Sequence, residues 1–80
     1  MKVKILGSRC VKCNTLEQKV RRLSEKHQLE LEIEKVTDLK EMMAFGILMT
    51  PGLVVDGVLK SYGTIPNDEQ LLKWLKEHDA

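Results

Sequence analysis

Cys10 and Cys13 are the two cysteines of the chain, and only Val11 and Lys12 separate them. On the first turn of a helix, residues three apart hold their Cβ atoms about 5–6 Å from each other, within a small adjustment of a disulfide. The chemistry open to such a pair is thiol–disulfide exchange, in which one thiolate attacks a disulfide sulfur and the second thiol displaces the product. A helix starting here would aim unpaired N–H groups and its positive end at Cys10, and Arg9 and Lys12 add positive charge. These effects lower a thiol pKa from its ordinary value of about 8.5, so Cys10 is the expected nucleophile. Cys13 starts an apolar stripe and is expected to face inward, stay protonated at rest and resolve the mixed disulfide. The same spacing also fits two ligands of a soft-metal site, with copper or zinc as cargo. A closed zinc site needs four ligands, which this pair alone does not supply. His27, at a helix end, and His78, in a polar tail, are read as structural residues.

The elements that must position these thiols can be read from hydrophobic periodicity. Val3, Ile5 and Leu6 form a strand, although Lys2 and Lys4 make it less apolar than a strand covered on both faces. Gly7 and Ser8 break it. Cys13, Leu16, Val20 and Leu23 then recur at i, i+3, i+7 and i+10, one face of a helix ending near His27, with charged residues including Glu17, Lys19, Arg21 and Arg22 on its solvated side. Leu29 to Glu34 alternates apolar and acidic residues without a fault, as an edge strand would. Thr37 or Asp38 caps a short helix that carries Leu39, Met42 and Met43 inward, and Gly46 stops it.

Ile47 to Thr50 reads as a connection, and Pro51, which lacks a donor, starts a strand through Leu53, Val54 and Val55. Asp56-Gly57 favours a type I′ turn, with Val58 to Tyr62 as the return strand. Asn67 with Gln70 opens a last helix whose stripe is Leu71, Leu72 and Leu75. Trp74 and Tyr62 are expected to pack with their polar tips outward. The order is βαβαββα, an α/β chain in which strands separated by helices run parallel and the late hairpin runs antiparallel.

The totals bound the function. The 80 residues suit one domain over 1–80, with 42% hydrophobic and 31% charged residues, the balance of an ordinary globular protein rather than a disordered one. Thirteen Lys and Arg against 12 Asp and Glu leave a net charge of +1, so no field draws the chain to nucleic acid or anionic lipid. No apolar run approaches the roughly 20 residues of a membrane span, and a strand pattern starts straight after Met1. The chain is therefore read as a cytoplasmic monomer. In a reducing compartment, a single pair of thiols is catalytic or metal-binding rather than structural.

With these residues in place, the chain resembles the thioredoxin superfamily, and within it the small thioredoxin-like, glutaredoxin-like "redox-active disulfide" proteins. The resemblance rests on Gly7-Ser8-Arg9-Cys10-Val11-Lys12-Cys13 after the first strand, Lys35-Val36-Thr37-Asp38, Met49-Thr50-Pro51 and the Asp56-Gly57 hairpin, and it covers nearly the whole chain. It implies a thioredoxin-like fold with a four-stranded mixed sheet of order 2-1-3-4 and helices on both faces. It also implies a thiol–disulfide oxidoreductase without a cofactor other than the Cys10–Cys13 disulfide. Thr50–Pro51 would be a cis peptide against the cysteine pair, with Met49 and Thr50 lining the substrate face. Partners would be protein or small-molecule disulfides and an external reductase or thiol donor.

The chain also departs from the larger family. Thioredoxin itself has Trp-Cys-Gly-Pro-Cys where this chain has Arg9 and Val11-Lys12, and no acid stands at the place of its buried carboxylate. The Gly-Gly-x-Asp that glutaredoxins use to hold glutathione is absent too. Heavy-metal-associated domains share the CxxC after a first strand, but their order is βαββαβ, without the second helix or the final helix read here.

Overall fold

The computed structural model describes residues 1–7, 11–47 and 49–79, except for the side chains of 78 and 79. Its elements run β1 (Lys2–Leu6), α1 (Val11–Lys26), β2 (Glu32–Val36), α2 (Leu39–Ala44), β3 (Gly52–Val55), β4 (Val58–Tyr62) and α3 (Asp68–Asp79). The four strands form one sheet in the order β2-β1-β3-β4. β1 pairs with β2 in parallel and with β3 antiparallel, and β3 pairs antiparallel with β4. This is the βαβαββα mixed sheet that the sequence pattern predicts, in the thioredoxin-like order.

Strand alternation divides the core between two faces. Val3 and Ile5 of β1, with Leu53 and Val55 of β3, lie beneath Leu16, Val20 and Leu23 of α1 and Leu71 and Leu75 of α3. Leu6, Val36, Val54 and Ile47 form the opposite cluster, against which Met42 and Phe45 from the α2 region pack. Because α2 is only 6 residues long, it covers its face in part. That explains the lysines of a central strand: Lys4 Nζ lies 3.2 Å from Glu41 Oε1 and 5.9 Å from the centroid of the Phe45 ring, its stem running beneath α2.

Three expectations need correction. β2 starts at Glu32, not Leu29, because the parallel register sets Lys2 opposite Glu32 and leaves the preceding residues outside the ladder. Before it, α1 ends with Gln28 at φ 53, while the N–H of Gln28 donates to the Glu25 carbonyl (3.3 Å) and that of Leu29 to the Ser24 carbonyl (2.9 Å). Such a left-handed helix stop aims Leu29 and Leu31 into the first core instead of along the sheet.

In α2, Leu39 and Met43 are 67% and 62% exposed, and Met42 with Phe45 takes the inward face. A two-turn helix can seat only one narrow stripe, and here residues 42 and 45 occupy it. Tyr62 is likewise exposed rather than packed, since it lies at the end of an edge strand opposite Gly52, which has no side chain to meet it.

Caps and turns follow the sequence. Asp38 accepts from Lys40 N at 2.9 Å and Asn67 from Gln70 N at 2.8 Å. Asp56 and Gly57 both take positive φ (48° and 83°), as a type I′ turn requires. In the hairpin, Leu53 faces Ser61 while Val54 faces Leu59, so Lys60 is the additional residue of a β-bulge. Among the described residues, no helix is long and apolar enough to cross a membrane.

Candidate redox site

Cys13 is fully buried at the start of the α1 stripe that continues through Leu16, Val20 and Leu23. Its inward orientation follows from the helix period. What it packs against is set by Gly7, which ends β1 with its N–H donated to the Val36 carbonyl (2.8 Å) and its φ at +129°. A Cβ at Gly7 would lie 2.7 Å from Cys13 Sγ, 3.0 Å from Thr50 Cβ and 3.1 Å from Thr50 Cγ2. Gly7 is therefore the point where the end of β1, the first turn of α1 and the loop before β3 come together. Only a residue without a side chain allows that approach.

The Thr50–Pro51 peptide bond is cis, with Pro51 buried and Thr50 exposed. The Pro51 carbonyl accepts from Gly63 N at 2.9 Å, tying this loop to the segment that follows β4. Gly63 has φ +76°, and a Cβ on it would lie 3.2 Å from Met49 Cβ and 3.5 Å from its sulfur. Met49, 59% exposed, thus rests on the bare backbone of Gly63 beside the cis bond. Val11, the first residue of α1, is 83% exposed, and Lys12 next to it is exposed as well.

Of the residues singled out from sequence, Cys13, Thr50 and Pro51 are thus gathered near Gly7, Met49 is seated on Gly63, and Lys12 stands on the open side of the first turn. Arg9 and Cys10 lie outside the described residues, as do the Cys10–Cys13 pairing and any contact that either residue makes. The His78 side chain lies outside them too.

One helical turn beyond Cys13 is a charged cluster that joins α1 to β2. Lys35 Nζ lies 3.0 Å from Asn14 Oδ1 and 3.2 Å from Glu17 Oε1, and Arg21 Nε donates to Glu17 Oε2 at 3.0 Å. The Glu17 side chain is only 18% exposed. Its partial burial works to raise its pKa, but the hydrogen bonds and charges of Arg21 and Lys35 outweigh this and hold the carboxyl below its ordinary value. Elsewhere on α1, Lys19 and Arg22 both pair with Asp68 of α3, at 3.4 and 3.0 Å. The supposed solvated face therefore carries cross-element ties.

Sequence reasoning misses three parts of this site: Gly7 as the seat of the buried sulfur, Gly63 as the seat of Met49, and the Asn14, Glu17 and Lys35 cluster. The Glu17/Arg21 spacing of four was a visible helix pair. The partnership with Lys35 depends on the β1–β2 crossover and has no local signature.

Comparison with known proteins agrees with this architecture. A family profile described as the thioredoxin domain matches residues 1–76. The thioredoxin of Methanothermobacter thermautotrophicus is 33% identical over 75 residues, covering 94% of this chain and 97% of that protein. The thioredoxin of Methanocaldococcus jannaschii is 34% identical over 76 residues, covering 95% of this chain and 87% of that protein. With matching strand order, helix placement and near full-length similarity, the chain belongs to the thioredoxin domain family.

Proposed function

We propose that the protein is a small thiol–disulfide oxidoreductase that cycles through a Cys10–Cys13 disulfide. The Cys10 thiolate attacks a substrate disulfide R–S–S–R′, forming a mixed disulfide with R and releasing the R′ sulfur. Cys13 then attacks the Cys10 sulfur and expels R. Two electrons pass to the substrate, the protein dithiol becomes a disulfide, and the proton of Cys13 ends on one of the two product sulfurs. An external reductase or thiol donor returns the protein to the dithiol.

The observation that supports this reading is the burial of Cys13 against Gly7 and Thr50, which shields one sulfur of the motif as a resolving thiol would need. The surroundings fit a disulfide on an extended segment: Val11 and Met49 offer exposed apolar contact, with Lys12 as the nearby charge. We assign the active form as a monomer in a reducing compartment.

Trapping tests the reading directly. The Cys13→Ser protein should accumulate a mixed disulfide through Cys10 when mixed with a protein disulfide such as insulin, and Cys10→Ser should not. Undiminished insulin reduction by both variants overturns the proposal.

A further inference from the structure

We propose that Met49 is a site of reversible oxidation: a hydroperoxide converts its thioether to the sulfoxide, and the added oxygen weakens substrate docking beside the cis Thr50–Pro51 bond. The inference rests on the oxidoreductase reading and adds to it a control that acts without changing either cysteine.

The chain has four methionines, and their surroundings differ. Met1 and Met42 are partly buried against the two core clusters, whereas Met43 and Met49 are 62% and 59% exposed. Met43 stands on the outward side of α2 with Leu39, one turn before it, also exposed. Met49 lies along the bare backbone of Gly63, where a Cβ would come within 3.2 Å of Met49 Cβ and 3.5 Å of both its sulfur and its methyl carbon. The Gly63 N–H is donated to the Pro51 carbonyl, two residues past Met49. The thioether is therefore seated beside the cis bond, on the segment that follows β4.

The chemistry needs no further group from the protein. The sulfur attacks the terminal oxygen of a hydroperoxide ROOH and the O–O bond breaks. The hydroxyl proton then passes to the alkoxide, which leaves as ROH. The sulfur has given two electrons to the peroxide and ends as a sulfoxide, which a methionine sulfoxide reductase returns to the thioether. Oxidation thus puts a polar acceptor where the parent side chain offers a flexible apolar contact. At Met49 the change falls among the residues around the buried Cys13 sulfur, because Thr50 follows it and lies against Gly7 as that sulfur does.

The test uses the full chain in its disulfide form, which withholds the thiols from peroxide. Hydrogen peroxide is applied and removed with catalase, the dithiol is restored with a small-molecule thiol, and peptide mass mapping locates the sulfoxides. Met43 and Met49 should be oxidised ahead of Met1 and Met42. The KM for insulin should rise at least about fourfold with kcat retained, the worth of one lost apolar group of methylene size. A methionine sulfoxide reductase should reverse the rise. Compared each with its own untreated form, Met43→Leu should keep the effect and Met49→Leu should escape it. Met49 left unoxidised while Met43 reacts, an unmoved KM with the Met49 sulfoxide mapped, or an equal rise in Met49→Leu overturns the proposal. Untreated protein that reduces no insulin overturns the oxidoreductase reading, and the docking role of Met49 with it.

Discussion

Gly7 Cα and Cys13 Sγ approach so closely that a single added methyl group on Gly7 would lie 2.7 Å from the sulfur. No such contact is met by ordinary Cβ atoms, and at φ +129° an L side chain is disfavoured even in open space. Gly7→Ala should therefore destabilise the reduced protein by about 2–4 kcal/mol, the sum of overpacking and backbone strain. Urea denaturation measures it. In a Cys13→Ala background the cost should fall without vanishing, because Thr50 Cβ still lies 3.0 Å from the new methyl position. Equal costs in both backgrounds contradict the contact.

Glu17 gives the protein a specific acid sensitivity. Its folded-state pKa is lowered, so the fold favours the carboxylate over the acid. The stabilisation is present in full above the unfolded value of about 4.3 and is lost as pH falls through the lower folded value. Between pH 5 and pH 3, the parent protein should lose more stability than Glu17→Gln, measured as the change in urea midpoint. Parallel pH curves would show that the Arg21 and Lys35 contacts do not favour the charged form.

The Ser61 hydroxyl on β4 is buried without a hydrogen-bond partner among the described residues. Burial without a partner costs free energy that a methyl group avoids. Ser61→Ala should leave stability unchanged or raise it by up to about 1 kcal/mol, read from the thermal midpoint. A loss of more than about 1 kcal/mol indicates a bond that the hydroxyl makes in solution.

The outward face of α2 offers a contrast with the core. Leu39→Ala and Met43→Ala, both at exposed positions, should change stability by no more than about 0.5 kcal/mol. Leu75→Ala removes a fully buried side chain that α3 packs onto the sheet and should cost about 2–5 kcal/mol. Denaturant midpoints for the three variants decide whether α2 is anchored by Met42 and Phe45 alone. A large loss at Leu39 would reverse that assignment.

Much of this was readable along the chain because the signals are local. The stripe from Cys13 to Leu23, the Asp56-Gly57 turn and the Asn67 cap each depend on residues within a few positions of one another. The start of β2 was misplaced because Leu29 to Glu34 alternates faultlessly, yet ladder formation needs a partner strand, and the register with β1 begins only at Glu32. In α2 the pattern could not choose between overlapping stripes on two turns. Gly7 was visible as a strand breaker, whereas its contact with Cys13 and Thr50 joins three separated segments. The bulge at Lys60 likewise exists only in relation to β3.

The Asp56-Gly57 turn carries one more consequence. Lys2 and Asp56 exchange two hydrogen bonds, Lys2 N to Asp56 Oδ1 and Asp56 N to the Lys2 carbonyl, each at 2.8 Å. They fasten the end of the sheet remote from Gly7, binding the start of β1 to the hairpin turn. The Lys2 and Asp56 amides should accordingly exchange slowly for groups at a chain start and in a turn, opening only with larger unfolding of the sheet, as amide hydrogen exchange would read. β1 is thereby held at both of its ends, by Asp56 at its start and by the Gly7 N–H bond to the Val36 carbonyl (2.8 Å) just past its finish, so the strand under the buried sulfur is fixed from two sides.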